Sequence, residues 1–215
     1  MTTTSNLFPN IIGQYPTKRK FEFYIKAFER IGIVPNIMIT APKGAGKTLL
    51  ARAFARNLVL PNTMEPKRYI EINCATIKNL RSFVDMIMTP YMINTEATFL
   101  FDECHMIPND VQNALLTVLN PNSANTNTFS FGEFEWNVDF KRISFIFATT
   151  ESQKMASPLT DRCERIDLEE YSDDELAEND IFCDEIEEAG LINITDGGAS
   201  AAMGRLEVQL ISDME

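Results

Sequence analysis

The sequence predicts an α/β fold with a parallel five-stranded sheet that is flanked by helices. Short apolar segments alternate along the chain with segments of helical periodicity, the pattern of strand–helix–strand units. Residues 97–101 form an almost wholly apolar run, as expected for a strand covered on both faces of a parallel sheet. A glycine-containing loop joins the first predicted strand to a helix, which is the usual connection in such folds.

The individual elements follow from apolar spacing and from glycine and proline breaks. The predicted strands are residues 37–41, 69–73, 97–103, 142–148 and 165–168, and the main predicted helices are residues 18–30, 47–58, 77–88 and 108–119. Aromatic residues alternate with polar ones over 129–140, which predicts a hairpin that turns near Gly132.

The length of 215 residues suits one α/β domain with a small appendage. We therefore expect a main domain over residues 1–170, with the hairpin inserted at about 128–138. Residues 171–215 are predicted to form a short helical lid.

The formal charge of −12 argues against a large exposed surface for nucleic acid, because phosphate binding needs clustered Lys and Arg. Basic residues concentrate near 17–20 and 67–68, whereas residues 164–190 are strongly acidic. This asymmetry predicts a basic main domain and an acidic C-terminal piece that faces a partner.

Membrane and secretory signals are missing from the sequence. No apolar stretch approaches the roughly 18 residues that span a bilayer, and the first residues lack a basic segment followed by an apolar one. The four cysteines are scattered and the chain has one histidine, so we expect reduced thiols and no zinc site. The expected location is the cytoplasm, with no membrane partner.

The loop after the first strand has the composition of a phosphate cradle. The run Gly44-Ala45-Gly46-Lys47-Thr48 leads into the predicted helix 47–58, whose helical pattern continues from Leu49. Loop N–H groups, the helix dipole and Lys47 would then bind the phosphates of a nucleotide, and the Thr48 hydroxyl would bind Mg²⁺. The first glycine of the usual motif is replaced by Ala41.

Two acids end the apolar strand at 97–103. Asp102 is a candidate Mg²⁺ ligand, and Glu103 a candidate for orienting the attacking water. Alternatively, the pair is a solvated cap of the strand. His105 is a proton carrier or, as is more common for a lone histidine, a structural residue.

Three further polar residues are candidates for contacts with a γ-phosphate. Thr150 follows a buried strand, and ordinary strand capping is its alternative. Arg162 follows a short turn, where it could reach a neighbouring subunit's nucleotide or form a surface ion pair. Arg205 opens the last helical pattern and either folds back on the phosphates or is solvated.

The predicted hairpin carries more aromatic residues than a lone hairpin needs. Phe129, Phe131, Phe134 and Trp136 either cover the core or form a docking surface for a partner.

This ordered set resembles the AAA+ ATPases and, more narrowly, the RuvB family of Holliday-junction branch-migration motors. The resemblance extends from Phe8 to about Asp196. Residues 41–48 are similar to the family's Walker A loop, and residues 101–105 (Phe-Asp-Glu-Cys-His) to its Walker B box. Residues 148–150 (Ala-Thr-Thr) resemble its sensor 1 segment, in which Thr150 matches the sensing hydroxyl.

The same resemblance extends to the ends of the nucleotide site. Ile12 and Gly13 match the segment that covers the adenine, and Tyr171 matches a lid tyrosine near the adenine. Residues 157–162 resemble the segment that carries the trans-acting arginine finger, at Arg162. Arg205 approximates the family's sensor 2 arginine, in a lid that is short and rich in glycine.

The resemblance implies ATP and Mg²⁺ as ligands and a homo-oligomeric, hexameric ring as the assembly. It also implies that the ribbon at 129–138 docks a protein partner. The family continues into a winged-helix DNA-binding domain that this sequence does not contain, so DNA contact is expected to go through a partner.

Three functions remain open. The first is an ATP-driven DNA motor of the branch-migration type, in recombination or replication. The second is a loader of a sliding clamp or a helicase, and the third is a nucleotide-gated assembly subunit with slow ATPase activity.

Overall fold

The computed structural model describes residues 7–9, 11, 13–91 and 95–169. The predicted helical lid at 171–215, and with it Tyr171 and Arg205, lies outside the described residues, as does Ile12. The centre of the described part is a five-stranded parallel sheet with the strand order β2–β3–β6–β1–β7. The predicted fold class is therefore confirmed.

The strands are those the sequence predicts, with small differences at their ends. They are β1 (Ile37–Thr40), β2 (Arg68–Asn73), β3 (Ala97–Asp102), β4 (Thr126–Phe131), β5 (Phe134–Asp139), β6 (Ile143–Thr149) and β7 (Glu164–Asp167). The helices are α1 (Tyr15–Ile31), α2 (Lys47–Arg56), α3 (Leu80–Phe83), α4 (Thr89–Tyr91), α5 (Asn109–Val118) and α6 (Ser157–Thr160).

The register of the sheet brings the ends of its central strands together. Thr40, the last residue of β1, lies opposite Thr149 of β6, and Asn73 of β2 lies opposite Asp102 of β3. Because all five strands are parallel, their carboxyl ends share one edge of the sheet. Polar residues that follow β1, β3 and β6 therefore meet at this edge.

The apolar strands are covered on both faces by separate hydrophobic clusters. Phe99 and Phe145 pack into one cluster, whereas their neighbours Leu100 and Ile146 pack into the other. Because side chains alternate between the two faces of a strand, a run that is apolar at every position contributes to both clusters. Burial of each large apolar side chain contributes about 1.5–3 kcal/mol, so the central strands supply much of the stability.

Helix α1 packs one face on the sheet and exposes the other. Phe21, Ile25 and Phe28 are buried. The helix ends at Gly32, whose φ of 73° is the left-handed conformation that glycine adopts without strain. The Gly32 N–H donates to the Phe28 carbonyl at 2.7 Å, which closes the last turn.

The helix after β2 starts later than the sequence predicts. The predicted start at Ile77 is wrong, because the Asn79 side chain accepts the N–H of Ser82 and caps the helix, so that α3 begins at Leu80. A π-helical turn, Val84–Met88, then connects α3 to α4. The apolar spacing predicts the helix, but it does not predict the Asn79 cap or the π-helical turn.

Hairpin β4–β5 covers one end of the first cluster. It turns at Gly132, where φ is 62°, and pairs Phe129 with Trp136. Phe129 and Trp136 are buried in the core, whereas Phe134 is 67% exposed at the tip. Most of the hairpin aromatics therefore cover the core, and the tip alone offers an exposed ring.

Over the residues that the model describes, no helix combines the length and the apolarity that a bilayer crossing requires.

Candidate nucleotide site

The loop between β1 and α2 has the backbone of a phosphate cradle. Gly44 and Gly46 adopt φ angles of 84° and 77°, a region that favours glycine. Gly46 directly precedes α2, so the free N–H groups of the first helical turn open towards the loop. Ala41 still belongs to the sheet side of the loop, where its N–H donates to the Thr149 carbonyl at 3.2 Å. Its φ is not positive, which explains why alanine can replace the usual glycine.

Lys47 is held over this loop by the loop's own carbonyls. Its Nζ donates to the Pro42 carbonyl at 3.1 Å and to the Ala41 carbonyl at 3.3 Å, and the residue is 7% exposed. An ammonium group taken out of water needs such partners. The Lys47 ammonium group and the loop N–H groups are therefore directed at the same space above the loop. Ala45, in the middle of the loop, is buried, and Leu49 in the first turn of α2 is half-buried.

Thr48 and Asp102 come together across the sheet edge. The Thr48 hydroxyl donates to Asp102 Oδ2 at 3.4 Å, and the Glu103 N–H donates to Asp102 Oδ1 at 2.9 Å. Burial raises the pKa of the Asp102 carboxyl, and the nearby carboxylates of Glu103 and Glu71 add to the rise. The Glu103 N–H and the Lys47 charge act in the opposite direction. The Thr48 hydroxyl and the Asp102 carboxylate supply oxygen ligands, and the neighbouring acids add negative charge. Together they are suited to bind a divalent cation.

Glu103 has a strained backbone and a carboxylate oxygen without a donor. Its φ is 50°, which is uncommon for a residue with a side chain. Its Oε2 is buried and has no hydrogen-bond partner among the described residues. Nδ1 of His105 lies 3.3 Å from this oxygen, but the two atoms do not form a hydrogen bond. This oxygen is therefore an unsatisfied hydrogen-bond acceptor among the described residues.

His105 lies between the end of β3 and the loop after β6. Its Nδ1 is 3.1 Å from the Thr149 hydroxyl, and its Nε2 is 3.5 Å from Glu151 Oε1. Glu151 pairs in turn with Lys154 at 2.6 Å. The structure thus favours a role for His105 in positioning Glu103. Glu151 was not identified from the sequence, since no motif marks it.

The two threonines that end β6 have different surroundings. The buried Thr149 hydroxyl contacts His105 and accepts the N–H of Glu151 at 2.9 Å. Thr150 is half-buried just beyond β6, at the edge that carries the P loop. The sequence prediction for Thr150 stays a prediction, and Thr149 emerges as the residue that organises the surrounding contacts.

Arg162 lies at the other edge of the sheet, away from its own P loop. Glu164, the first residue of β7, is opposite Ile37, the first residue of β1. The Arg162 carbonyl accepts Nδ2 of Asn36 at 3.3 Å, and its guanidinium donates to the Pro158 carbonyl at 2.7 Å. Strand rise places the two edges about 15 Å apart, beyond the reach of one arginine side chain. The structure therefore does not bring Arg162 to the loop of the same chain.

A buried glutamine links the Glu103 segment to the helix that precedes Arg162. Gln112 of α5 is 3% exposed; its Nε2 donates to the Ile107 carbonyl at 3.0 Å, and its Oε1 accepts the Ala156 N–H at 2.8 Å. Ala156 caps α6. The sequence predicts α5 but gives no sign that this polar residue faces inward.

Gly13 lies at the start of α1, beside the end of the described chain. Its φ is 61°, and the next residue, Gln14, has a φ of 51°. The Gln14 side-chain amide donates to the Glu169 carbonyl at 2.8 Å. This contact brings the segment predicted to cover the adenine next to the segment that leads to Tyr171.

The three cysteines of the described part are free thiols. Burial raises the pKa of Cys74 and Cys104, and it raises the pKa of Cys163 to about 12. No group of three or more His, Cys, Asp or Glu side chains that could hold a metal ion occurs within the range that the model covers.

A parallel sheet with a lysine-bearing glycine loop after β1, and an acidic pair after β3, defines the class of P-loop nucleotide-binding proteins. The model of the ATPase family associated with various cellular activities (AAA) matches residues 37–172, and the chain belongs to this family.

Curated relatives of similar sequence are much longer than this chain. It is 27% identical over 194 residues to Lon protease of Citrifermentans bemidjiense, a match that covers 80% of this chain and 23% of the relative. It is 23% identical over 197 residues to Protein STICHEL of Arabidopsis thaliana, covering 79% of this chain and 14% of that protein. The chain therefore spans about a quarter or less of these relatives.

Solved structures share the fold at low sequence identity. A P216G mutant of Thermotoga maritima RuvB superposes with a TM-score of 0.66 and 20% identity, covering 88% of this chain and 56% of that one. NtrX from Brucella abortus, in complex with ADP, superposes with a TM-score of 0.59 and 18% identity, covering 94% of this chain and 51% of NtrX. These similarities concern the fold.

Proposed function

We propose that this protein is a Mg²⁺-dependent ATPase that works as an oligomeric ring. The observation that carries the proposal is the convergence of Lys47, Thr48, Asp102 and Glu103 at one edge of the sheet. Membership of the AAA family supports ATP as the nucleotide.

The residues present fit ATP with Mg²⁺. Lys47 and the loop N–H groups would hold the phosphates, and Thr48 and Asp102 would hold the metal ion. Mg²⁺, when bound, would neutralise negative charge that develops on the phosphates. The Thr48 hydroxyl beside the Asp102 carboxylate supports this assignment, because Mg²⁺ takes oxygen ligands.

Glu103 is the residue that would accept the proton of the attacking water. Its Oε2 has no competing donor within the described ranges, and the His105 ring limits the positions the carboxylate can take. Thr150 would contact the γ-phosphate from the end of β6. Lys47 would stabilise negative charge on the phosphates throughout the reaction.

Arg162 would act on the nucleotide of a neighbouring copy. Its place at the far edge of the sheet supports this, since it cannot serve its own P loop. An arginine that arrives from another subunit stabilises charge in the transition state. If each subunit receives an arginine from its neighbour, a closed ring completes every site. We propose six copies, because the fold is similar to that of RuvB.

The first test is the ATPase rate of Arg162→Ala. Loss of a trans-acting arginine typically costs about 10³–10⁵ in rate, so hydrolysis should almost vanish while ATP binding is kept. Arg165→Ala is the matched control, because Arg165 lies nearby on β7 but contacts Thr160 and Asp161 of its own chain. Equal activity of Arg162→Ala and the wild type would refute the shared site.

For the work coupled to hydrolysis, we propose a DNA motor of the branch-migration type that acts through a partner bound to hairpin β4–β5. The likeness to the Thermotoga maritima RuvB Holliday-junction branch migration motor supports this, and the exposed Phe134 at the hairpin tip suits a docking contact. The free thiols of the described part support a cytoplasmic location.

A second candidate is a nucleotide-gated assembly subunit with slow turnover. The net charge of −12 favours it, because an acidic protein is repelled by the phosphate backbone of DNA. The two candidates differ in one measurement, the ATPase rate with and without branched DNA and its partner. Stimulation supports the motor, whereas ATP-dependent assembly without stimulation supports the assembly subunit.

A further inference from the structure

The ring of His105 lies between the carboxylates of Glu103 and Glu151. Its Nδ1 is 3.3 Å from Glu103 Oε2, and its Nε2 is 3.5 Å from Glu151 Oε1. The His105 side chain is only 11% exposed, so neighbouring protein groups decide how the ring is held. A neutral imidazole has one N–H donor and one bare nitrogen that accepts, and the ring can therefore donate to only one of the two acids.

The Thr149 hydroxyl indicates which ring nitrogen is bare. Its oxygen accepts the backbone N–H of Glu151 at 2.9 Å, and it lies 3.1 Å from Nδ1 of His105. Thr149 is buried, so the proton of its hydroxyl needs an acceptor among its neighbours. Nδ1 of His105 is such an acceptor when it carries no proton.

The surroundings of Glu103 agree with a bare Nδ1. Glu103 Oε2 has no hydrogen-bond partner among the described residues, although Nδ1 of His105 is close to it. A ring proton on Nδ1 would put a donor beside this buried oxygen. A bare Nδ1 leaves Glu103 without a donor, and the ring proton is then on Nε2, on the side of Glu151.

Glu151 is held as an acceptor for the Nε2 proton. Lys154 Nζ lies 2.6 Å from Glu151 Oε2, and this contact lowers the pKa of the Glu151 carboxyl. An ionised carboxylate accepts hydrogen bonds and donates none. Because the main chain of Glu151 is also bonded to Thr149, its side chain is anchored beside the ring.

We propose that Glu151 is a positioning residue that holds His105 in the form with its proton on Nε2. Nδ1 then accepts the Thr149 hydroxyl and does not donate to Glu103. Without Glu151, the proton can move to Nδ1 and be donated to Glu103 Oε2, where it would compete with the attacking water. The inference rests on the proposed function, in which Glu103 accepts the proton of that water.

The ¹⁵N NMR spectrum of the imidazole shows which nitrogen carries the proton. His105 is the only histidine of the chain, so full-length protein without a histidine tag, labelled with ¹⁵N-histidine, gives signals from this ring alone. At pH 8 we expect a protonated Nε2 and a bare Nδ1. Glu151→Ala should produce a mixture with the Nδ1–H form, whereas Asp85→Ala, which removes an ion pair with Arg81 elsewhere, should leave the spectrum unchanged.

ATPase kinetics provide the second measurement. Glu151→Ala should lower kcat roughly tenfold, a part of the 10²–10⁴-fold that a general base contributes, while the KM for ATP stays within about twofold. Glu151→Gln keeps an oxygen that accepts the Nε2 proton and should recover most of kcat. In a His105→Ala background, Glu151→Ala should have no further effect on kcat.

Two kinds of result would overturn the inference. The first is a proton on Nδ1 in the wild type, or a Glu151→Ala spectrum identical to that of the wild type. The second is an equal loss of kcat in Glu151→Ala and Glu151→Gln, or a loss that persists in the His105→Ala background. Full activity of Glu103→Gln would instead contradict the proposed function, and the NMR result would be independent of it.

Discussion

Lys67 is a buried cation that the proposed ATPase chemistry does not use. The residue is 2% exposed, its Nζ donates to the Ser144 hydroxyl at 3.0 Å, and it lies 4.8 Å from the centre of the Phe28 ring. Burial lowers the pKa of Lys67 to about 8, although Glu96 and Asp139 attract its charge. This side chain joins α1 to the amino ends of β2 and β6 at a cost in stability.

We expect replacement of Lys67 by methionine to stabilise the protein most at neutral pH. Below about pH 8 the Lys67 ammonium is protonated in both the folded and the unfolded state, and burial of its charge then costs on the order of 3 kcal/mol. Between pH 8 and the ordinary lysine pKa of 10.5, the folded state loses a proton that the unfolded state keeps, so rising pH favours folding of the wild type. The advantage of Lys67→Met should therefore shrink as pH rises.

Urea unfolding of both proteins at pH 7 and pH 10 measures this difference. Lys26→Met, at an exposed lysine, is the control and should show no such trend. An advantage that is equal at both pH values would mean that Lys67 keeps its proton throughout.

Substitution of Thr149, the last residue of β6, should change the stability of the fold, whereas substitution of Thr150, the next residue, should change the ATPase turnover. Thr149→Val removes the partner of His105 and of the Glu151 N–H in a buried place, so it should cost about 1–3 kcal/mol of unfolding free energy. Thr150→Val should leave stability unchanged but lower kcat on the order of 10²-fold, as for loss of a donor to a developing charge. Thermal unfolding and ATPase rates test both. A fall in kcat confined to Thr149→Val would assign the γ-phosphate contact to that residue instead.

At the residue scale, the sequence predicted the groups that belong to a recognisable motif. Lys47, Thr48, Asp102 and Glu103 were predicted from motif residues at the ends of predicted strands. The structure brings them to one edge of the sheet, and their roles stay predictions. Glu151, Gln112 and Lys67 were missed, because each acts through a contact that depends on the tertiary fold. Periodicity shows that a segment is buried, but it does not show which polar atom completes the hydrogen bonds there.

At the scale of elements, hairpin β4–β5 combines two roles in one short ribbon. The inner part belongs to the core through Phe129, Trp136 and Val138, and α5 packs beside β4. The tip extends beyond the core and exposes Phe134, which lies 6.0 Å from the Trp136 ring. Stability and the proposed docking contact therefore involve different residues of the same hairpin.

Matched substitutions in the hairpin should separate these two roles. Trp136→Ala removes a side chain that is 3% exposed and should cost about 3–5 kcal/mol. Phe134→Ser should change stability by less than about 0.5 kcal/mol, because the ring is mostly in solvent. Urea unfolding measures both. If Phe134→Ser destabilises the fold as strongly as Trp136→Ala, the tip is part of the core and is not free to dock.

The sequence predicted the elements better than their details. All five sheet strands and the hairpin turn were correct, since long apolar runs and Gly132 are local signals. The start of α3 and the π turn after it were not predicted. The apolar pattern of this helix extends back to Ile77, but the Asn79 side chain caps the helix and makes it begin at Leu80. Such a side-chain hydrogen bond is not visible in the apolar pattern.

At the scale of the whole molecule, the two edges of the sheet carry different halves of the proposed reaction. The carboxyl edge holds the P loop and the acids, and the amino edge holds Arg162. If each catalytic site is built from two copies, two inactive variants with substitutions in different halves of the site should regain ATPase activity when they are mixed.

Mixing Arg162→Ala with Glu103→Gln should restore hydrolysis that neither variant shows alone. An Arg162→Ala copy keeps an intact P loop and Glu103, and a Glu103→Gln neighbour supplies an intact arginine. ATPase rates of the mixture, against each variant at the same total concentration, test this. Lys47→Ala combined with Arg162→Ala in one chain is the control that should not respond to mixing with Glu103→Gln. If the mixture is as inactive as its parts, each site uses residues of one chain only.

The hydrogen bond between the Gln14 amide and the Glu169 carbonyl spans 155 positions of the chain. Gln14, the residue before α1, therefore lies beside Glu169, the last residue that the structure describes. The long relatives, of which this chain matches a quarter or less, show that a unit of this kind is carried within larger polypeptides. Because the bond between Gln14 and Glu169 joins positions far apart in the chain, it forms only once α1 and β7 have both packed on the sheet.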